Sequence, residues 1–245
     1  MAPLLAAMGV VVPLCSYLLG SLALKPSRVT AEQRSAFRFS TLVANTAFLG
    51  IPICEILFGP LGAVYAVLYD FGTTLIALTL GVWELKGGRL GNWRPLLVNP
   101  LIWSVVAGML WALGGWPVPE WLGAPLETLG DATLPLALLV GGALVGDIRS
   151  QLLAWRQQLA GLILVRLVVT PLIITLILLE IGQLDLSTSV IILQAAMPVG
   201  LTPSIMAKAY GADAQFAASA TLWSTLASML TLPLVAFLLI AKCGR

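Results

Sequence analysis

Hydrophobic positions in this chain come in long blocks separated by short polar stretches. The blocks lie at roughly 2–24, 36–58, 62–83, 96–113, 126–146, 157–180, 187–210 and 214–241. About 20 apolar residues carry a helix across ~30 Å of hydrocarbon, and these blocks are of that order. The pattern predicts an all-α integral membrane protein of eight transmembrane helices. The connections are too short to fold independently, so residues 1–245 are read as a single membrane domain.

Composition strengthens this reading. Hydrophobic residues make up 59% of the chain and charged residues 10%, against roughly 25% charged in soluble domains. The first block is too long for a cleaved signal. No basic residue precedes it and no small-residue cleavage pattern ends it, so it is expected to stay in the mature protein. The three cysteines have no metal-type spacing, and histidine is absent. No cofactor or metal site is therefore expected.

Charge sets the orientation. Lys25, Arg28, Arg34 and Arg38 fall in one connection, Lys86, Arg89 and Arg94 in another, and Arg149 and Arg156 in a third. The alternate connections 59–61, 114–125 and 181–186 carry no basic residue. The positive-inside rule then predicts a multi-pass protein of the cell membrane with cytoplasmic basic connections and both termini outside. Lys242 and Arg245 run mildly against that. The net charge of +2 includes no concentrated basic tract, so nucleic acid is not an expected partner. Trp116 and Trp121 read as an anchor at the outer interface.

Two blocks are interrupted where a helix tolerates it least. "NTAFLGIP" (45–52) divides the second and "MPVGLTP" (197–203) the seventh. A proline inside a helix costs ~3 kcal/mol or more, and in lipid the freed carbonyls find no water. Such breaks belong where protein or a polar cavity covers them. "VVVPL" (10–14) precedes the first and "VVTPL" (168–172) the second. Phe58-Gly59 and Tyr210-Gly211 follow them in turn. Blocks 1–3 thus resemble blocks 6–8 in opposite membrane orientation, the inverted repeat of secondary transporters. Pro52 and Pro203 suit the first turns of new half-helices, and Thr202 is a candidate cap for the second. Each half-helix start carries about +0.5 charge, so two facing starts would form an anion site. The carbonyl ends of the preceding half-helices would instead suit a cation.

"NTAFLGIP" resembles the Asn-Thr-x-x-x-Gly-Ile-Pro pattern of the auxin efflux carrier family. "MPVGLTPSIMAKAYG" is similar to that family's second broken span, and "FGPLGAVYAVLYDFG" (58–72) to its bacterial members. The relatives implied are malonate and malate permeases and the plant PIN-formed auxin carriers. The resemblance implies a bile acid/auxin carrier-like fold and a carrier of small organic anions. A crossed-helix transport part, here 1–84 and 150–241, would move against a scaffold, here 94–146. Asn45 and Pro198 would lie at the crossing, with Thr46, Gly50, Pro52, Gly200 and Pro203 beside them. Plant members carry a polar residue where this chain has Val199, which points away from auxin itself. Family members usually have ten spans and this chain shows eight. Either the true start lies upstream of Met1 or a second subunit completes the scaffold, and a homodimer is expected.

Charged residues inside the blocks are functional candidates. An Arg166–carboxylate pair, with Asp70 as partner, would tie the two triplets together. Glu55 either complements the dipole of a half-helix start or holds a coupling ion. Lys208 either attracts anions or reaches toward the interface. Gln194 would offer its amide to a substrate carboxylate or to the freed carbonyls, and Ser204 its hydroxyl. The coupling ion stays open between proton and sodium, with uniport as the third case. A shortened, transport-inactive homologue acting as a receptor or assembly subunit is the competing reading. An intramembrane enzyme lacks a histidine, a metal cluster or a nucleophile–base pair to work with.

Overall fold

In the computed structural model, the regular elements among the described residues are all helical. The structure describes residues 2–24, 29–88, 100–146, 155–182 and 185–243. The basic residues Lys25, Arg28, Arg89, Arg94, Arg149 and Arg245 lie outside these. The helices are α1 (Ala2–Ala23), α2 (Ala31–Leu42), α3 (Ile51–Ile76), α4 (Val82–Leu85), α5 (Pro100–Leu113), α6 (Glu120–Gly146), α7 (Arg156–Leu164), α8 (Thr170–Ile181), α9 (Leu186–Ala195), α10 (Thr202–Tyr210) and α11 (Ala214–Cys243). Wide π-helical turns occupy Thr46–Gly50 before α3, Ala77–Gly81 between α3 and α4, and Val165–Val169 between α7 and α8.

Four helical stretches are long and apolar enough to cross a membrane: Pro3–Ala23, Thr46–Leu85, Arg156–Ile181 and Ala214–Ala241. As one straight rod, Thr46–Leu85 would be about 60 Å long at 1.5 Å per residue, twice the hydrocarbon thickness. It is not straight, because Gly59 has φ 74°, a conformation that lacks strain only without a Cβ. Pro60 follows and starts the next helical run. Gly211 does the same between α10 and α11, with φ 77°.

The helices that enter the interrupted regions are both started by reciprocal caps. Thr30 accepts from the Gln33 amide while the Gln33 side chain accepts from Thr30, and Asp185 and Thr188 repeat the arrangement before α9. α9 is buried along almost its whole length, with Val190, Ile191 and Leu193 at the centre of the core. α1 lies against α3 at backbone contact. A Cβ on Gly9 would stand 1.9 Å from the Tyr69 carbonyl oxygen, and one on Gly72 would stand 2.1 Å from that of Ala6. This is how small residues bring membrane helices together. Near the end of that pair Glu84 is buried, accepts the Tyr17 hydroxyl, and meets Arg38 at 3.4 Å. α6 packs on α11, and the Trp111 indole donates to the Trp116 carbonyl at 3.1 Å.

Candidate functional site

α2 stops at Leu42 because Val43 turns extended (φ −103°, ψ 107°), and α9 stops at Ala195. The two chain segments that follow run antiparallel through a single bridge between Ala44 and Val199. The Asn45 amide donates to the Pro198 carbonyl at 2.8 Å, and the Gly200 amide donates to the Val43 carbonyl at 3.1 Å. A Cβ on Gly200 would lie 3.1 Å from the Ala44 carbonyl oxygen, so a glycine permits the approach.

Two extended segments buried in an apolar core leave further backbone groups to satisfy, and side chains from three helical elements supply the partners. The Val199 amide donates to Ser224 Oγ at 3.0 Å, and Thr221 Oγ1 donates to the Gly200 carbonyl at 2.8 Å, both from α11. Arg166 Nε donates to the Met197 carbonyl at 3.1 Å. Gln194 Nε2 donates to the Thr46 carbonyl at 3.3 Å. Arg166 and Gln194 are almost completely buried.

Beside the bridge lies a cavity of about 270 Å³. One wall is the beginning of the Thr46 helix, with Asn45, Thr46, Ala47 and Phe48. A second is the beginning of α10, with Gly200, Leu201 and Thr202. Asp70, Thr73, Thr74 and Leu78 complete it from α3 and the turn after it. The Thr46 hydroxyl donates a short hydrogen bond to the Asp70 carboxylate. Both helix starts therefore open on one cavity, into which the Asp70 carboxylate and several hydroxyls project.

Among the residues singled out from sequence, Asn45, Thr46, Asp70, Gly200 and Thr202 line this cavity. Gly50 and Gln194 sit behind it in contact: a Cβ on Gly50 would lie 2.1 Å from Gln194 Oε1. Pro198 takes part in the bridge itself. Pro203 and Ser204 belong to the first turn of α10, where Ser204 Oγ donates to the Leu201 carbonyl at 2.8 Å. Glu55 and Lys208 are exposed.

Three local expectations are corrected. Arg166 does not pair with Asp70; it is taken by the Met197 carbonyl, where a cation offsets the negative end of α9. Thr202 is the first helical residue of α10 and caps nothing, the cap position being Leu201. Pro52 stands in the first turn of α3, as expected, and the wide turn Thr46–Gly50 leads into it. Glu55 consequently stands beyond the first turn, away from the helix start. Thr73, Thr74, Thr221 and Ser224 were missed. Their signal was present as hydroxyls three or four residues apart on otherwise apolar helices: Asp70-Thr73-Thr74 and Thr221-Ser224-Ser228.

The family described as membrane transport protein matches residues 90–236. The chain belongs to that family. The membrane transport protein family chain is 30% identical over 194 residues to an uncharacterized transporter of Methanothermobacter thermautotrophicus, covering 78% of this chain and 63% of that protein. It is 27% identical over 155 residues to auxin efflux carrier component 8 of Arabidopsis thaliana, covering 61% and 42% respectively. Probable auxin efflux carrier component 1b of Oryza sativa is 27% identical over 142 residues, 56% of this chain and 26% of its own length. The chain thus spans less than two thirds of the length of these relatives. Membership agrees with several helices long and apolar enough to cross a membrane, and the chain is a multi-pass membrane protein.

Proposed function

We propose that the chain is a secondary carrier that moves a small organic anion, such as a carboxylate, across the cell membrane by alternating access. The observation that carries this reading is the Ala44–Val199 bridge, which brings two helix starts onto one cavity. Each start carries about half a positive charge. α2, α9 and α10 are each too short to cross ~30 Å of hydrocarbon alone. α2 with the run 46–58, and α9 with α10, make two discontinuous spans, and with the six continuous blocks a chain of eight spans. The matched order of helix, break, helix and left-handed glycine in the two halves supports an inverted repeat. Asn45, Thr46, Gly200 and Thr202 are the substrate-facing residues in this reading. Gly50, Pro52, Gln194, Pro198, Pro203 and Ser204 support them. α5 and α6 serve as scaffold, a second copy completes it, and both termini face outward.

The test is reconstitution in liposomes with labelled malonate, malate and indole-3-acetate. Uptake above protein-free liposomes that is lost in Asn45→Ala and Pro198→Ala supports the carrier. Binding without flux would instead favour the receptor or assembly-subunit reading. A monodisperse, active monomer in mild detergent would remove the dimer.

A further inference from the structure

The cavity contains a carboxylate to which the carrier reading gives no task. Asp70 faces the same space as the two helix starts and receives the hydroxyls of Thr46 and Thr74. α3 packs against α1, the Thr46–Gly50 turn, α9 and the Ala77–Gly81 turn. The last three bring no titratable side chain. α1 brings Cys15 and Tyr17, of which Tyr17 is bonded to Glu84. Next to Asp70 on its own helix, Tyr69 is buried toward Arg166, and Arg166 is engaged by Met197. Among the described residues no Lys or Arg lines the cavity.

Charge balance then decides what Asp70 does. The two helix starts supply about one positive charge between them, and one substrate carboxylate uses it up. An ionised Asp70 would add a second negative charge within about 270 Å³ with no lining cation to offset it. A proton on one carboxyl oxygen removes the repulsion and turns an acceptor into a donor. We infer that Asp70 takes up one proton from water on the loading side with each anion and returns it to water on the other side, which makes the chain a proton–anion symporter. This rests on the carrier reading.

The experiment uses the full chain in liposomes with a trapped pH indicator and the same three labelled probes. In the wild type, lowering the external pH by one unit should raise initial uptake about tenfold, the change in proton concentration itself, and the lumen should acidify as label enters. In Asp70→Asn the residual uptake should lose its response to the pH gradient, with the fold-change falling to about one. The wild-type measurement stands alone if the variant fails to fold. Label entry without lumenal acidification, or a gradient response that survives in Asp70→Asn, overturns the symport and leaves the carrier standing. No uptake of any probe overturns the carrier, and the symport with it.

Discussion

Gly50 tests whether the packing behind the cavity is what the structure says it is. Its backbone is ordinary helix (φ −69°, ψ −46°), so alanine is conformationally acceptable there and should gain about 0.5–1 kcal/mol of helix preference. Space forbids it: the new Cβ would lie 2.1 Å from Gln194 Oε1 and 3.0 Å from Nε2, where nonbonded atoms need about 3.5 Å. The Gln194 amide must swing away by more than about 1 Å, which breaks its bond to the Thr46 carbonyl. Buried polar groups left unpaired cost about 1–3 kcal/mol, so Gly50→Ala should destabilise by roughly 1–2 kcal/mol net. In a Gln194→Ala background the clash partner is gone and only the helix gain remains. The sign should reverse, making Gly50→Ala neutral or stabilising by up to about 1 kcal/mol. Equilibrium unfolding of the four proteins in mixed micelles gives the cycle directly. Equal costs in both backgrounds, within about 0.5 kcal/mol, would refute the idea that Gln194 is why position 50 is glycine.

Two further outcomes follow from single contacts. Ser224→Ala leaves the buried Val199 amide without its acceptor and should cost about 1–3 kcal/mol, whereas Ser228→Ala loses only a local bond to Thr225 and should change unfolding little. Asp185 caps α9; its partial burial raises its carboxyl, but the Thr188 amide and the Ser187 and Thr188 hydroxyls outweigh that and hold it below the ordinary carboxylate range. A lowered folded value stabilises the protein above the unfolded value, roughly pH 4. That advantage disappears as pH falls through the folded value. The stability difference between wild type and Asp185→Asn should therefore be present at neutral pH and shrink progressively as pH falls below about 4. A difference that grows on acidification would contradict the capping geometry.

The apolar blocks located the helices well because a membrane-length run is a strong signal that needs no partner. α1 fills the first block, and Gly59 and Gly211 end runs where an aromatic-glycine pair stands. The breaks were legible too, from Pro198, Gly200 and Pro203 in one half and Gly50 and Pro52 in the other. What could not be read was the wide turn Thr46–Gly50 ahead of Pro52, because a π-helical turn has no compositional mark. Partners across long sequence separations were also hidden. Nothing near Arg166 announces that its mate is a backbone carbonyl and not Asp70, since a guanidinium donates to either. The hydroxyls of α11 looked like helix filler because their acceptors and donors belong to a segment folded against them from elsewhere.

The bonds that converge on Ala44 and Val199 have a mechanical meaning. Separating the two strands of that seam would strip two main-chain bonds and expose at least four others to hydrocarbon, where no solvent replaces them. Side chains of α9, α11 and the Val165–Val169 turn therefore hold the seam in place. For a carrier of the kind proposed, this seam makes the cavity walls one unit, so alternating exposure is expected to move the surroundings of the block and not its interior.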